Sequence, residues 1–522
     1  MTMTEDLNSY DEVPYQSVAL VETHPERLAA IATLFGMEPP PVETARILEL
    51  GCAGAGNLLP LAEVLPHATF VGVDLSPRQI DDAKKATEAA GITNATFQVA
   101  SITDLDKDFG EFDYIICHGV YSWVPDEVKA SILRVFSQNL SPTGLAYLSY
   151  NTYPGWHIPG MVREMMLYHV RNLTDPDARV KGARALLDFL GNNVPDREGH
   201  YAKILRDEAE QLKPHADSYV LHEHLEDLNH PLYFHELAAR AAANDLKVLG
   251  DSRVWSMALS AQPAVSAVLD RLSLDPVGRE QYHDFLCNRR FRRSILCRSD
   301  REVPGPSAER IRGLRASAAV WPATMPADFA SKTSIDFRGA DGMVRLSTID
   351  PIFKTALLCL VEAFPRSLSF DELWSLTKTR LARAGVEVGN KSDALAGRLL
   401  QAFGANSVDL HTFEPPLPAE LSDKPRALAM ARLAAEAGTS VPNYRHRQTN
   451  LSDFDRLVIR QLDGTRTHAE IVDRLVAAVV GGAFAIQENG LPQKDPILVR
   501  PILERSLPPS LARLNRGALL VC

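Results

Sequence analysis

The chain has 522 residues, of which 45% are hydrophobic and 23% are charged, and this composition excludes collagen-like, wholly disordered and disulfide-scaffold proteins. At roughly 100–200 residues per domain, the length predicts about three folded units. The formal net charge is −11 and no long basic run is present, which argues against nucleic acid as a partner.

The N-terminus has neither the positively charged region nor the apolar region of a secretory signal, and no apolar stretch approaches the roughly 20 residues that span a bilayer. The six cysteines form no C-x-x-C pair, which argues against a disulfide framework and a thiolate zinc site. We therefore expect a cytoplasmic protein with no membrane partner, reduced cysteines and no metal site.

Short β-rich runs alternate with amphipathic helical stretches between residues 46 and 151, which predicts a parallel sheet covered by helices. The predicted strands are RILEL (46–50), TFVGVDL (69–75), ATFQVA (95–100), FDYIICHG (112–119) and GLAYLSYN (144–151). Helices are predicted at 77–90 and 126–140. The fold class is therefore α/β, a doubly wound, Rossmann-like sheet.

Leucines and alanines at helical spacing predict a helical insertion at about 160–213. Residues 232–255 return to a helix-then-strand pattern, which is expected to supply late strands of the sheet. Residues 280–298 predict one helix with five arginines in its C-terminal half, interpreted either as contacts for an acidic group or as a solvated helix end. His222 and His224 are spaced i, i+2, as on opposite sides of a strand, so structural roles are favoured over metal binding.

A Pro/Gly/Ser-rich stretch predicts a linker over 301–340. Helices at about 350–363, from 369 and at about 392–404 then precede a strand-like run at 406–413, an order typical of a winged helix. A later helix capped by Thr467 predicts a second unit of this kind. Winged helices often bind DNA, but the acidic balance favours protein contact here.

The motif that carries chemistry is ILELGCAGAGNLLPLA (47–62), a strand, a turn of small residues and a helix, followed by Asp74 at the end of the next strand. Small residues let the backbone approach a ligand, the helix start offers free N–H groups, and the carboxylate can accept from both ribose hydroxyls. The dinucleotide pattern G-x-G-x-x-G does not fit. S-adenosylmethionine is therefore the predicted cofactor.

This motif resembles the first motif of the class I S-adenosylmethionine-dependent methyltransferases, roughly E/D-x-G-x-G-x-G. Glu49, Gly51 and Asp74 match, whereas Ala53 and Ala55 depart from the pattern and leave the loop conformation open. Over residues 10–298 the chain also resembles the methyltransferases that carry a methyltransferase regulatory domain, a group that includes rickettsial lysine methyltransferases of outer-membrane proteins. The segments that carry this resemblance are YDEVPYQS (10–17), THPERLAAIATLFG (23–36), HGVYSWVP (118–125), YNTYPGW (150–156), HEHLEDLNHPLYFHEL (222–237) and FLCNRRFRRSIL (285–296).

The resemblance implies a cofactor-binding methyltransferase domain over 1–215 and a regulatory middle domain over 216–300. With the linker at 301–340, this leaves a winged-helix-like domain over 341–522. The residues expected to hold the cofactor lie in the first motif and at the following strand ends: Glu49, Gly51, Cys52, Ala53, Gly56, Asn57, Asp74, Leu75, Gln79, Ser101, Ile102 and His118. Ser101 and Ile102 stand where many class I enzymes have an acid for the adenine amino group, so backbone contacts are implied there.

Methyl transfer is an in-line displacement, which needs aligned, desolvated reactants and a neutral nucleophile rather than a strong base. The predicted catalytic residues follow the fourth and fifth strands: His118, Tyr121, Asn151 and Tyr153. The tyrosines are candidates for cation–π contacts and His118 for accepting a proton, with packing roles as the alternative.

Four further residues are predicted to form a lid or to contact the substrate: Tyr10, Tyr15, Trp123 and Trp156. For the two tryptophans, packing of the helical insertion onto the sheet is the favoured interpretation. For the two tyrosines, the alternative is a disordered N-terminal tail.

Three functions stay open at this point. The first is a methyltransferase that N-methylates lysine side chains of a protein, such as a surface or outer-membrane protein. The second is a methyltransferase with a small-molecule acceptor. The third is a recruitment module that binds S-adenosylmethionine without efficient turnover.

Overall fold

The computed structural model of the protein describes residues 17–257, 262–272, 275–325, 327–339, 341–418, 420–488 and 491–521. Its centre is a seven-stranded sheet of order β3-β2-β1-β4-β5-β7-β6. The strands are β1 (Arg46–Leu50), β2 (Thr69–Asp74), β3 (Ala95–Val99), β4 (Phe112–Cys117), β5 (Leu140–Asn151), β6 (Leu246–Asp251) and β7 (Phe291–Arg298). Strands β1 to β5 pair in parallel, and β7 runs antiparallel to β5 and β6.

Helices cover both faces of this sheet, which confirms the doubly wound prediction. The first four are α1 (Pro25–Leu34), α2 (Leu58–Val64), α3 (Pro77–Ala90) and α4 (Asp126–Asn139). Because successive strand residues face opposite sides, Ile47 and Leu48 of β1 enter separate cores. The start of α3 follows from its sequence, since the Ser76 hydroxyl accepts from the Gln79 N–H at 3.1 Å and proline occupies the first helical position.

The predicted helical insertion is present as α5 (His157–Val170), α6 (Pro176–Asn193), α7 (His200–Leu212) and α8 (Asp217–His224). It has a small core of its own, to which Met166, Leu187 and Leu205 contribute. The strand placement expected for His222 and His224 is wrong, because both lie on α8. Helix α9 (Phe234–Ala242) then leads into β6, in the helix-then-strand order predicted for 232–255.

The single helix predicted over 280–298 is wrong in its second half. After α10 (Pro263–Arg271), helix α11 (Pro276–Cys287) ends where Asn288 adopts a left-handed conformation, and the chain continues as β7. The arginines do not form a solvated helix end. Arg292 is 1% exposed and donates two hydrogen bonds of 2.7 Å to Asp284, which local sequence patterns do not reveal.

The linker predicted over 301–340 is also wrong. This region contains β8 (Arg315–Ser317), β9 (Trp321–Pro322) and β10 (Ile335–Arg338), and β11 (Val344–Thr348) follows directly. Ile311, Leu314 and Phe337 are at most 3% exposed. The Pro/Gly composition marks real turns. The short strands between these turns pair with distant residues, so their formation depends on tertiary structure and not on local sequence.

The first C-terminal unit has the predicted winged-helix order. It consists of α12 (Pro351–Ala363), β12 (Leu368–Ser369), α13 (Phe370–Arg383), α14 (Ser392–Gly404) and β13 (Asp409–His411), with a sheet of order β12-β8-β13.

The second C-terminal unit follows at residue 426. Its elements are β14 (Arg426–Ala427), α15 (Ala429–Ala437), β15 (Ser440–Pro442), β16 (Gln448–Asn450), α16 (Asp453–Ile459), α17 (His468–Val480), β17 (Ile486–Glu488), β18 (Leu491–Gln493), α18 (Pro496–Arg516) and β19 (Leu520–Val521). Thr467 caps α17 as predicted, in a capping box with Glu470.

The C-terminal region packs on the α/β domain through polar contacts beside α2. The Glu63 carboxylate accepts from the backbone N–H groups of Ala429 and Met430 at the start of α15. The Tyr444 hydroxyl donates to the Val64 carbonyl at 3.0 Å. Across the described ranges, no helix combines the length and apolar character needed to cross a membrane.

Candidate active site

The loop after β1 adopts a left-handed backbone at several positions. Gly51 has φ +72°, and a Cβ there would lie 2.6 Å from Val120 Cγ2, so only glycine fits. Ala53 and Ala55 have φ +46° and +60°. The alanines that depart from the family pattern therefore still adopt the conformation that glycine favours, at a cost of roughly 1–2 kcal/mol each.

Asp74 ties this loop to the end of β2. Its Oδ2 accepts from the Ala53 N–H at 2.8 Å, and its Oδ1 accepts from the Ser76 N–H at 2.9 Å. Gln79, in the first turn of α3, lies against the loop, because a Cβ at Gly54 would be 3.3 Å from its Oε1. The carboxylate thus holds the loop closed.

Glu49 and Asn57 form a buried pair beneath the loop. Glu49 is 3% exposed, and its Oε1 accepts from Asn57 Nδ2 at 2.7 Å. The pKa of Glu49 is raised to about 8, mainly by burial; the Asn57 hydrogen bond opposes this rise, and the negative charge of Asp74 adds to it. Among the described residues, the buried Glu49 Oε2 has no hydrogen-bond partner.

Two residues of the motif serve its packing. The Cys52 side chain is buried against Gly72, where a Cβ would lie 2.8 Å from its sulfur, so only the Cys52 backbone faces the loop. Gly56 lets the N-terminal segment approach, because a Cβ there would be 2.1 Å from the Ser17 carbonyl oxygen. Tyr10 and Tyr15, the predicted lid residues, lie outside the described residues.

These residues fit S-adenosylmethionine. Asp74 stands at the end of β2, where a carboxylate accepts from ribose hydroxyls. The neighbouring Leu75 is 45% exposed, an apolar surface suited to a purine, and Ser101 and Ile102 follow β3 at the same edge of the sheet. The unpartnered Glu49 Oε2 suits an ammonium group. A buried polar atom without a partner is costly, so an ammonium that donates to Oε2 and keeps Glu49 ionised stabilises the site.

His118 follows β4 and lies partly buried beside aromatic rings. Its Nδ1 is 3.0 Å from the Tyr147 hydroxyl, and its ring centroid is 6.1 Å from that of Phe291. Burial lowers the pKa of His118 to about 4, and the positive charge of Arg293 contributes to this. His118 is therefore neutral at physiological pH.

Asn151 and Tyr153 follow β5 but differ in exposure. Asn151 is 2% exposed, and its Nδ2 donates to Asn229 Oδ1 at 3.2 Å, which ties the sheet to the segment before α9. Tyr153 is half-buried and stacks on His157 with ring centroids 4.2 Å apart. Of these two predicted catalytic residues, Tyr153 is the one with an accessible side chain.

Tyr121 is not placed with the other predicted catalytic residues. Its ring is fully buried among core residues and meets Tyr150 at a centroid distance of 6.3 Å. It lines a polar cavity of about 190 Å³ with Lys129, His230 and Arg240. The expectation of a cation–π contact from Tyr121 is therefore not supported, because its ring packs under the helix layer.

Trp123 and Trp156 occupy the positions that the packing interpretation predicts. Their rings meet edge to face at 6.3 Å, and Trp156 stacks against His224 of the helical insertion at the same centroid distance. Trp156 is 6% exposed. The two tryptophans therefore join the insertion to the sheet.

Three family models match the chain. A methyltransferase domain matches residues 42–180, a predicted methyltransferase regulatory domain matches 216–298, and the PKMT C-terminal winged helix domain matches 423–519. An uncharacterized protein of Rickettsia prowazekii is 36% identical over 527 residues, which cover 99% of this chain and 94% of that protein. The chain belongs to the methyltransferases that carry a regulatory domain.

A solved structure and a named enzyme provide two further similarities. The structure of PKMT2 from Rickettsia typhi in complex with AdoHcy is 30% identical with a TM-score of 0.86, and the match covers 98% of this chain and all of that one. The 2-heptyl-1-hydroxyquinolin-4(1H)-one methyltransferase of Mycobacteroides abscessus is 33% identical over 136 residues, which cover 24% of this chain and 57% of that enzyme. The protein is an S-adenosylmethionine-dependent methyltransferase, as the sequence predicts.

Several residues of this methyltransferase site were missed by sequence reasoning. Glu22 accepts from Arg253 Nε at 2.6 Å, and Arg293 lies 3.9 Å from the same carboxylate oxygen. Tyr233 lies 5.3 Å from Tyr153, and His446 reaches Asn57 from the C-terminal region. Tyr233 and Arg293 fall in segments that carry the family resemblance, but no local pattern shows what they contact.

Within the part of the chain that the structure describes, no group of three or more His, Cys, Asp or Glu side chains is arranged to hold a metal ion. His222 instead lies with its Nδ1 2.9 Å from Oε1 of Glu226, which follows the end of α8.

Proposed function

We propose that this methyltransferase transfers methyl groups to lysine side chains of a protein substrate. The observation that carries the proposal is the match with PKMT2, because it covers 98% of the chain and so extends well beyond the methyltransferase domain. A winged-helix family model named for PKMT also matches residues 423–519. A protein substrate needs a docking surface of roughly 800 Å² per partner, and such additional domains supply surface that a small acceptor does not need.

The aromatic residues Tyr153, His157 and Tyr233, called the acceptor side of the site, favour an amine as the methyl acceptor. Tyr153 stands after β5, at the edge of the sheet where ligands of open α/β folds bind. Its ring stacks on His157 and lies 5.3 Å from the ring of Tyr233. Aromatic faces attract a lysine ammonium by about 0.5–2 kcal/mol, depending on desolvation. This attraction favours lysine over a neutral hydroxyl acceptor.

The chain's own residues align and desolvate the reactants rather than remove the proton. S-adenosylmethionine, when bound, supplies an activated methyl group for in-line displacement. Burial lowers the pKa of His118 to about 4, so its imidazole is too weak a base for a lysine ammonium with a pKa of roughly 10.4. The lysine therefore loses its proton to solvent before it is enclosed, and we expect kcat/KM to rise with pH toward the lysine pKa of roughly 10.4.

The experiment that tests this proposal follows the methyl group. The full-length protein is incubated with methyl-labelled S-adenosylmethionine and protein fractions of a bacterial lysate, and labelled bands are digested for peptide mass spectrometry. We expect one or more added methyl groups on lysine Nζ, and no label with the Asp74→Ala variant. Label found only on small molecules, or on a protein residue other than lysine, would contradict the proposal.

A small-molecule acceptor is the second candidate. It is favoured by the identity of 33% over 136 residues with a methyltransferase named for a quinolinone substrate. The same labelled reaction distinguishes the two, because the product of this candidate passes a size filter that retains proteins.

A further inference from the structure

A loop of the C-terminal region reaches the cofactor motif. His446 lies between β15 and β16, is 1% exposed, and has its Nε2 2.8 Å from Asn57 Oδ1. These two residues are 389 positions apart. Asn57 is in turn hydrogen-bonded to Glu49 at 2.7 Å, so a continuous buried chain links His446 to the first motif.

The loop that carries His446 is fixed by its own hydrogen bonds. Asn443 Oδ1 accepts from the Arg447 N–H at 3.0 Å, and Asn443 Nδ2 donates to the Gly517 carbonyl at 2.9 Å. The His446 N–H donates to the Asn443 carbonyl at 2.9 Å, and His446 has φ +56°, a region that histidine and asparagine tolerate better than most side chains. The imidazole is therefore held in place before any ligand binds.

The direction of each hydrogen bond in the chain is determined by its neighbours. The Leu20 backbone N–H can only donate, and it lies 3.1 Å from Asn57 Oδ1. This oxygen is therefore an acceptor, and Asn57 Nδ2 must donate to Glu49. His446 Nε2 then carries the proton, since it faces the same oxygen. Burial lowers the pKa of His446 well below its ordinary value, and His24 adds to this, so the donor is a neutral imidazole.

The Asn57 amide would be less constrained without this donor. Three groups face Oδ1 and oppose rotation of the amide: His446 Nε2 at 2.8 Å, the Leu20 N–H at 3.1 Å and the Thr23 hydroxyl at 3.1 Å. Rotation would turn the amide oxygen toward the Glu49 carboxylate. With Glu49 ionised against the cofactor ammonium, the rotated amide would place a second acceptor against a buried carboxylate, which costs more than the loss of an exposed contact.

We infer that His446 is a positioning residue for the S-adenosylmethionine site, which acts through Asn57 on Glu49 of the first motif. The C-terminal region thereby sets the affinity of the cofactor site in a domain remote in sequence. The inference depends on the cofactor and is independent of the identity of the methyl acceptor.

The first test compares variants of the full-length protein. His446→Asn removes the Nε2 donor while keeping a residue that tolerates a positive φ. By isothermal titration calorimetry with S-adenosylhomocysteine, we expect its Kd to rise about tenfold, the equivalent of one lost buried hydrogen bond. At saturating S-adenosylmethionine, kcat stays within about twofold. His446→Gln, whose Nε2 replaces the lost donor, is expected to restore most of the affinity.

The matched control is Tyr444→Phe, which lies in the same loop and removes the hydrogen bond to the Val64 carbonyl. We expect an unchanged Kd for Tyr444→Phe, even where its melting temperature falls. An equal rise in Kd for this control, or no rise for a folded His446→Asn variant, would overturn the inference. If His446→Asn does not fold, His446→Phe replaces it with the same expectation.

A double-mutant cycle tests the proposed route. In an Asn57→Ala background, His446→Asn is expected to change Kd by less than about twofold, because the proposed path through the Asn57 amide is already removed. A second tenfold loss in that background would contradict the role of Asn57 as the link.

Discussion

The cofactor side and the acceptor side of the active site are built from different kinds of side chains. On the cofactor side, Glu49, Asn57 and His446 are at most 4% exposed and hydrogen-bonded in one chain. On the acceptor side, the accessible group is an aromatic stack, with Tyr153 and Tyr233 both half-buried. The first arrangement is rigid and polar, and the second is apolar and open.

This difference follows from what each side has to recognise. The cofactor is one molecule with fixed polar groups, so preorganised donors and acceptors favour its binding. A protein acceptor presents a lysine in varied surroundings, and aromatic surfaces accept such variation because their contacts are weakly directional. The scaffold also contains a buried charge pair, in which Arg292 of β7 donates to Asp284 of α11.

Removal of this scaffold charge pair is the largest expected effect. Asp284→Ala leaves Arg292, which is 1% exposed, without its main partner, and we expect a loss of about 3–5 kcal/mol in unfolding free energy. Urea denaturation followed by circular dichroism measures it. Asp300→Ala removes an exposed ion pair with Arg301 and should leave the transition unchanged. Equal losses of unfolding free energy in the two variants would show that the buried pair contributes no more stability than the exposed pair.

On the cofactor side, Asp74→Ala removes a carboxylate that also holds Ala53 and Ser76. The variant also loses the two hydrogen bonds that the ribose hydroxyls are expected to donate to this charged group. We therefore expect the cofactor Kd to rise at least about 100-fold. Calorimetric titration with S-adenosylmethionine and its demethylated product measures it. Asp74→Asn keeps one acceptor oxygen, so its Kd should lie between those of the unmodified protein and Asp74→Ala. A Kd within threefold of the unmodified protein would mean that Asp74 only shapes the loop.

Glu49 gives the cofactor side a distinct pH dependence in the empty protein. Burial raises its pKa from 4.5 to about 8, so the folded state holds the proton more tightly than the unfolded state. Stability therefore falls as pH rises through this window, and Glu49→Gln removes that loss. We expect the stability advantage of Glu49→Gln to grow by about 2–3 kcal/mol between pH 6 and pH 9. Thermal unfolding at both pH values measures it, and a pH-independent difference would contradict the assigned burial.

The cofactor side was also the more predictable from sequence. Its residues from Glu49 to Asn57 are contiguous, and Asp74 stands at the end of the next strand, so local patterns of strand, turn and helix identify them. The partner that completes the chain, His446, is 389 positions from Asn57, and no periodicity connects them. Sequence patterns describe neighbours along the chain, whereas this contact depends on how two domains pack.

The same limit explains the errors in the fold. Residues 291–298 form β7 rather than the predicted helix, because they pair with Ala146 to Asn151, although arginine and leucine favour a helix locally. The supposed linker contains β8, which pairs with residues 368 and 410. In both cases the deciding hydrogen bonds come from strands far away in the chain.

The smallest expected effect distinguishes the acceptor side from the cofactor side most directly. Tyr153→Ala removes the ring that stacks on His157, and we expect KM for a purified protein acceptor to rise about tenfold, the equivalent of one lost aromatic contact with a lysine. Cofactor Kd should stay within twofold, because no contact of Tyr153 with the Glu49, Asn57 and His446 chain occurs among the described residues. Tyr153→Phe keeps the ring and should behave as the unmodified protein. A rise in cofactor Kd with an unchanged acceptor KM would instead assign Tyr153 to the cofactor side and remove the contrast between the two.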